Sequence, residues 1–407
     1  MNTTWEFRPL GQCAEFIDYR GKTPPKVENG VRLITAKNVK MGFVQLQPAE
    51  FIDPSAYDRW MTRGIPEYGD VLFTTEAPLG NVAQLETREK VVIGQRLITF
   101  KTDRRYVDST FLKYALLSPT VQREIHSRAT GATVQGIKAS LLKGVPIPLP
   151  PLDEQLRIVA ILDEAFEGLD RARVNTAANL KHAREFLALQ VEHELAAALE
   201  NGRRAKIADI CSHLQYGTSS KSKPQGKIPV LRMGNLQGGE IDWTDLVYTD
   251  DDKEIEKLRL RPLDVLFNRT NSLEHVGKAA IYRGEQPAIF AGYLIRLHYL
   301  PEVVDPEFLT LFLNSKSVRE YGRTISGKSV NQANISAAKL QGYSIVLPSL
   351  AKQREVVARV ESMRQPVGDI ATVYEQKIQD IDELRRSLLQ KAFAGGLTRI
   401  RESAYAA

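Results

Sequence analysis

Asn268, Arg269, Thr270 and Asn271 stand in a row after the apolar run 265–267, and together they offer amide, guanidinium and hydroxyl groups at one turn. Such groups make directional hydrogen bonds to planar polar edges and to anions, so the chemistry they suit is recognition rather than bond breaking. A polar turn that caps a strand uses the same residue types. Stretches of similar make-up recur along the chain. Tyr216, Thr218, Ser219, Ser220, Lys221 and Lys223 form a hydroxyl- and lysine-rich loop, with Arg232 and Asn235 a little further on. Nearer the N-terminus, Arg20, Lys22, Thr23, Lys26, Lys37, Asn38 and Lys40 make a basic and polar set. Two glycine-bearing segments, RATGATVQGIK at 128–138 and ISGKSVNQANIS at 325–336, add further groups. The first carries Thr130, Thr133, Gln135 and Lys138; the second carries Lys328, Ser329, Asn331 and Asn334. Glycine in such places lets backbone approach a ligand closely, although a helix end followed by a loop looks the same.

Arrangements that break bonds are missing from the sequence. No G-x-G run sits between strand and helix, and no GxxxxGK[ST] loop is present to cradle phosphates. His182 and His193 lie on a long charged helix without HExxH spacing, and read as surface residues. Asp70 and Glu76 invite a metal reading, but Asp264 repeats Asp70 ahead of a second VLF run, as a turn cap would. Cys13 and Cys211 have no metal-ligand spacing and read as buried, reduced thiols. The sequence therefore calls for no metal and no cofactor.

The elements that must position these groups are written twice, roughly 197 residues apart. RLITAKNV (32–39) answers to VLRMGNL (230–236), and GDVLFTT (69–75) to LDVLFNR (263–269). VIGQRLITF (92–100) answers to IFAGYLIRL (289–297), and VDSTFLKYALLSP (107–119) to VDPEFLTLFLNSK (304–316). Each copy begins with a globular part in which short Val/Ile/Leu/Phe/Thr runs, as at 31–39, 71–75 and 91–101, sit between turn residues. One helix stands out in each, starting after the N-caps Asp108 and Asp305. Strands and helices do not alternate regularly, so each globe is α+β rather than a parallel βαβ layout.

Each globe is followed by a proline-bearing turn, LPPLDEQ (149–155) or LPSLAKQ (347–353), and then by a long helix. Apolar residues recur every three or four positions, from Leu152, Leu156 and Val159 to Leu195 and from Val356 and Val360 to Leu388, with Ile370 and Leu384 on the way. A helix of some ~45 residues is on the order of 70 Å long, and so narrow a stripe needs a partner. The expected architecture is two globes at opposite ends of two antiparallel coiled-coil helices, related by a pseudo-twofold axis. Pro366 and Gly368 interrupt the second helix and should kink it. The composition fits: 407 residues with 43% hydrophobic content give ample core, and a net charge of +6 suits a polyanionic partner. No apolar run approaches the ~20 residues of a membrane span, and MNTTWEFRPLG lacks a signal-peptide core, which points to the cytoplasm.

At GVPIPLPPLDEQ (144–155), its copy GYSIVLPSLAKQR (342–354), the closing LLQKAFAGGLT (388–398) and DVLFNRTNSLEHVGKAA (264–280), the chain resembles the specificity (S) subunits of type I restriction–modification enzymes. Ser349 stands where the first turn has Pro151, and Lys352 where it has Glu154. The resemblance implies target-recognition domains at 1–148 and 203–346, spacer helices at 149–202 and 347–398, and a tail at 399–407. It implies a non-catalytic subunit that binds double-stranded DNA at a split target. It also implies two modification (M) subunits, which methylate adenine, restriction (R) subunits, and no membrane. The polar residues numbered above are then the candidate DNA contacts, because base reading needs amide, guanidinium and hydroxyl groups on held loops, with Lys and Arg on phosphates. The loops 18–30 and 74–80 differ from their counterparts 215–226 and 268–277 more than the framework does, as readers of different half-sites should. A repeat-built scaffold that does not read DNA would explain the duplication but not these loops. Helix-turn-helix reading by 111–128 is disfavoured, because its second helix has few base-reading side chains.

Overall fold

The structure, a computed structural model, describes residues 5–19, 24–200, 202–329 and 332–396. The chain forms two compact units, Met1–Ala177 with Gln376–Ala407, and Ala178–Glu375. In the first unit a four-stranded antiparallel sheet runs in the order Ala14–Asp18, Leu97–Thr102, Val71–Thr74, Val82–Gln84. A smaller sheet places Val31–Ile34 between Phe51–Ile52, antiparallel, and Val91–Ile93, parallel. A two-stranded ribbon of Glu6–Pro9 and Pro146–Leu149 leads into the first long helix.

The central strand Val71–Thr74 is apolar without alternation because both its faces are covered. Val71 and Phe73 join a core with Phe100 and with Phe111, Leu112, Ala115 and Leu116 of the helix Ser109–Leu117. Leu72 faces the other way, into a core with Leu33, Ile34, Val92 and Ile93. Asp108 caps that helix, its carboxylate accepting from the Phe111 amide at 2.8 Å. The expected strand 91–101 is in fact two, Val91–Ile93 and Leu97–Thr102, parted where Arg96 adopts a φ of 69°. That left-handed geometry cannot continue a strand.

The second unit repeats both of these sheets in the same strand order. Its larger sheet has the order Cys211–Tyr216, Leu294–Tyr299, Asp264–Asn268, Ala279–Tyr282, and its smaller one Val247–Thr249, Ile228–Leu231, Ile289–Phe290. Asp305 caps the helix Pro306–Asn314, as Asp108 does its counterpart. Cys13, just ahead of the strand Ala14–Asp18, and Cys211, the first residue of the equivalent strand, are both buried, and burial pushes their thiols up to about 11 and about 12. They are thus protonated and unreactive at neutral pH.

The long helices, Leu152–Leu199 and Leu350–Phe393, each contribute to both units. In the first unit Ile158, Leu162 and Phe166 share the core with Leu389 and Ala392, and Arg385 donates to Asp170 at 2.6 Å. In the second, Leu195 and Ala198 share the core with Val356 and Val360, and Arg359 donates to Glu194 at 3.3 Å. In each unit one helix rises in number as the other falls, so the segments pair antiparallel, as expected. The seam is narrower than the spacing suggested. Leu156, Ile370 and Leu384 remain 50%, 47% and 48% exposed, because two helices alone cover only part of an apolar stripe. The second helix continues on both sides of Pro366.

One residue of each turn motif explains its position. Gln155 is fully buried; its carboxamide donates to the Tyr106 and Pro150 carbonyls at 3.0 and 2.8 Å and accepts from the Asp108 amide at 2.9 Å. Gln353 does the same with Val303 and Pro348 at 3.1 and 3.0 Å and with Asp305 at 2.8 Å. Each glutamine ties the start of a long helix to the cap of a domain helix, and so fixes one to the other.

Candidate nucleic-acid interface

In the first unit the end of the strand Val71–Thr74, the Gln95–Arg96 break and the segment 130–138 converge on a cleft of about 410 Å³. Thr75, Glu76, Gln95, Arg96, Thr130 and Lys138 line it. The Arg96 carbonyl accepts from the Thr75 amide at 2.9 Å and from its hydroxyl at 3.2 Å, which holds the left-handed turn. The Arg96 guanidinium meets the Glu76 carboxylate at 3.0 Å, both side chains nearly half exposed. This pairs a forked donor with an acceptor at the lip of an open cleft, with Lys138 beside them. A residue held at positive φ without being glycine costs energy and persists where surrounding contacts impose it.

Two hydrogen bonds place the equivalent site in the second unit. Thr75 N to Arg96 O and Ile137 N to Thr75 O, both 2.9 Å, correspond to Arg269 N to Tyr293 O at 3.0 Å and Ile335 N to Arg269 O at 2.9 Å. Arg269 therefore occupies the position of Thr75. Its guanidinium donates to Asn334 Oδ1 at 3.1 Å and to the Gly292 carbonyl at 3.3 Å, and lies 5.0 Å from the centre of the Tyr216 ring. Asn334 in turn donates to Thr270 Oγ1 at 3.0 Å. Two strands, Thr270–Asn271 and Gln332–Asn334, carry this chain of contacts. One N–H on each terminal nitrogen of Arg269 has no acceptor among the described residues. The guanidinium is thus fixed in place without using all of its donors, and its Nε is buried without a partner.

The structure brings Tyr216, Arg269, Thr270 and Asn334 together, with Asn271 next to them on the same strand, and it gathers Thr130 and Lys138 in the first cleft. Thr133 and Gln135 are exposed on the adjoining segment. Ser219 and Ser220 are exposed, Lys221 is exposed, and Lys223 pairs with Asp250 at 3.0 Å. Lys26 and Lys37 gather around Glu50 at 2.8 and 3.9 Å, and Lys40 is half-buried. Arg20, Lys22, Thr23 and Asn331 lie outside the described residues; Lys328 and Ser329 belong to the strand Gly327–Ser329.

Several candidates do structural work instead. Asn38 is buried, accepting from the Thr35 amide at 2.9 Å and donating to the Gln45 and Pro48 carbonyls at 3.0 and 3.1 Å. Asn235, its counterpart, is equally buried, bonding the Arg232 amide and the Asp242 and Asp245 carbonyls. These amides are spent closing a loop and cannot reach a ligand. Arg232 is held by Asp245 at 2.8 Å. Thr218 is buried with its hydroxyl accepting from the Ser220 amide, and Asn268 is buried with its amide directed to the His275 carbonyl. Glu76 falls in the divergent loop 74–80, whereas Gln95 and Arg96, which line the same cleft, lie outside every loop singled out in the sequence. A Gly-Gln-Arg interruption between the runs VVI (91–93) and LITF (97–100) was the available signal. No group of side chains suited to a metal ion is present among the described residues, and no helix among them is long and apolar enough to cross a membrane.

The family model described as the type I restriction modification DNA specificity domain matches residues 2–177 and 204–377. The EcoKI specificity subunit of the type I restriction enzyme of Escherichia coli K12 is 26% identical over 316 residues, covering 72% of this chain and 67% of that protein. The StySPI specificity subunit of Salmonella potsdam is 28% identical over 315 residues, covering 72% and 66%. The matched region thus spans about two thirds of these relatives' own length. A chain from a structural study of complex assembly and conformational transition in the type I R-M system matches over 98% of this chain and 99% of its own, with a TM-score of 0.73 and 19% identity. The HsdS subunit from Thermoanaerobacter tengcongensis matches over 98% of both chains, with a TM-score of 0.50 and 20% identity. At these identities the likeness to solved structures is one of fold.

Proposed function

We propose that this chain, which belongs to the type I restriction modification DNA specificity family, is the DNA-reading subunit of a type I restriction–modification complex. It binds an asymmetric, split duplex target, one half to each unit. It also serves as the platform for two M subunits and for R subunits, in the cytoplasm. The chain itself is not a catalyst: methyl transfer belongs to M, translocation and cutting to R.

The observation that carries this reading is a single framework with two linings. The same hydrogen bonds build the same edge in both units, yet one presents Glu76, Gln95, Arg96 and Lys138 and the other Tyr216, Arg269, Asn271 and Asn334. Arginine forks match the O6 and N7 acceptors of guanine, a carboxylate accepts from the amino group of cytosine, and asparagine pairs with adenine. Different linings on one frame select different base sequences. Lys138 and the exposed Lys221 supply charge for the phosphates on either side.

The test is duplex binding and methyl transfer by the purified chain with and without its M subunit. Sequence-selective binding and methylation by the pair, and none by the chain alone, is the expected result. Methyl transfer by the chain alone would overturn the division of labour. Failure of the pair to select any duplex would favour a scaffold that does not read DNA.

A further inference from the structure

Lys278, Arg319 and Arg323 meet beside the turn at Glu274 in the second unit. Arg319 and Arg323 are one turn apart on the helix Lys316–Ile325, and both donate to a single backbone oxygen, that of Glu274, at 2.7 and 3.4 Å. Lys278 donates to Gln237 Oε1 at 2.9 Å and lines, with Arg319, a groove of about 350 Å³. All three are half-buried, and none forms a salt bridge among the described residues, although the Glu274 carboxylate lies near Lys278. The Nε atoms of Arg319 and Arg323 are buried without a partner. Neighbouring arginines are treated differently. Arg283 is matched by Glu240 and Glu307, and Arg364 by Glu240 and Glu361. Like charges one helical turn apart repel, and burial makes the repulsion cost more. Burial and the neighbouring cation lower the pKa of both Lys278 and Arg319.

The repeat shows that the fold does not require these charges. Gly277 N to Asn268 O and Asn268 N to Lys278 O match Gly80 N to Thr74 O and Thr74 N to Asn81 O, so Lys278 occupies the place of Asn81. Counting from the equivalent N-caps Ser315 and Ser118, Arg319 occupies the place of Gln122 and Arg323 that of His126. In the first unit Gln122 simply donates to the Gly80 and Leu116 carbonyls, at 2.9 and 2.7 Å, and Asn81 to Val39 at 2.8 Å. Neutral residues suffice to hold the same backbone.

We infer that Lys278, Arg319 and Arg323 form a cradle for DNA phosphate, present in the second unit and absent from the first, on the flank of the turn that carries Arg269 and Asn271. The inference rests on the DNA-reading function proposed above and adds to it an asymmetry of grip. The second half-site is held through its backbone as well as its bases, whereas the first depends more on its base contacts. Among the described residues the three cations have only the Glu274 carboxylate near them; a phosphate adds the negative charge that they call for, and its oxygens can accept from several donors at once.

The test exchanges the two units' residues at these positions in the complex with the M subunit. K278N/R319Q/R323H gives the second unit the residues of the first, and N81K/Q122R/H126R does the reverse. Binding to the target duplex and to an unrelated duplex is followed by fluorescence anisotropy across a salt series. Each phosphate contact contributes about 0.9 to the slope of log K against log salt. The first variant should lose roughly two to three from that slope on both duplexes, with the methylated sequence unchanged, and the second should gain a comparable amount. Should the first variant not fold, a steeper slope for the second supports the cradle and an unchanged slope overturns it. A wild-type slope in the first variant, with the target still bound, overturns the cradle and leaves the DNA-reading function standing. So does weaker association with M at an unchanged slope, which would make the cluster a docking point for an acidic protein surface. Absence of any duplex binding by the wild-type complex overturns both.

Discussion

Replacing Gln353 by leucine tests the account of how the domains are fixed to their helices. The carboxamide is fully buried and makes three hydrogen bonds, to Asp305 N at 2.8 Å, Val303 O at 3.1 Å and Pro348 O at 3.0 Å. Leucine fills a similar volume but bonds none of them. Each main-chain group left without a partner in a buried site costs about 1–3 kcal/mol, and the apolar side chain returns about 1 kcal/mol by burial. With each of the three groups near the low end of that range, the net loss is about 3 kcal/mol, which for a unit of this size lowers the melting temperature by roughly 6–12 °C. The neighbouring Lys352→Ala removes only an exposed pair with Glu355, at 3.0 Å, and should stay within about 0.5 kcal/mol. Chemical unfolding gives the free energies, and hydrogen exchange at the Asp305 amide localises the effect, since that amide should exchange faster in Gln353→Leu alone. A loss below about 1 kcal/mol, or unchanged protection at Asp305, would refute the claim that this glutamine pins helix to domain.

Arg269→Ala should weaken binding to the cognate duplex by about 1–3 kcal/mol and leave binding to unrelated duplex nearly unchanged, since the guanidinium is held as a fork by Asn334 and Gly292. Equal loss on both duplexes in anisotropy titrations would make it a phosphate contact. Burial first, then the positive charge of Arg296, holds the pKa of His298 down to about 4 from an ordinary 6.5. The folded state keeps this ring neutral while the unfolded chain protonates it, so its contribution is complete above pH 6.5 and is lost as pH falls toward 4. His298→Gln should therefore flatten the stability profile in that window; an unchanged difference between wild type and variant across it would contradict the assignment.

The duplication and the N-caps Asp108 and Asp305 were legible because they depend on local sequence and a fixed offset. The both-faces-buried strands were legible as apolar runs, although their lack of alternation hid which side chain enters which core: Leu72 and Leu266 pack opposite to Phe73 and Phe267. The site was less legible. Asn38 and Asn235 have the chemistry of base readers, and only their burial, set by partners up to 10 residues away, assigns them to loop closure. Arg96 escaped notice because a strand-like run does not announce a left-handed break, and its partner Glu76 lies 20 residues earlier, in the loop 74–80. The roles of Gln155 and Gln353 depend on groups 47 and 48 residues away, which no periodicity in the motif reveals.

The central claim is that each unit reads its own half of a split target. Its most direct test is sequencing of methylated adenines in a host that carries the chain with its M subunit, before and after residues 203–346 are replaced by the corresponding segment of another family member. The account predicts a bipartite, asymmetric methylated motif in which the exchange alters one half and leaves the other and its adenine in place. A motif that changes in both halves, or methylation that does not depend on the chain, would contradict it.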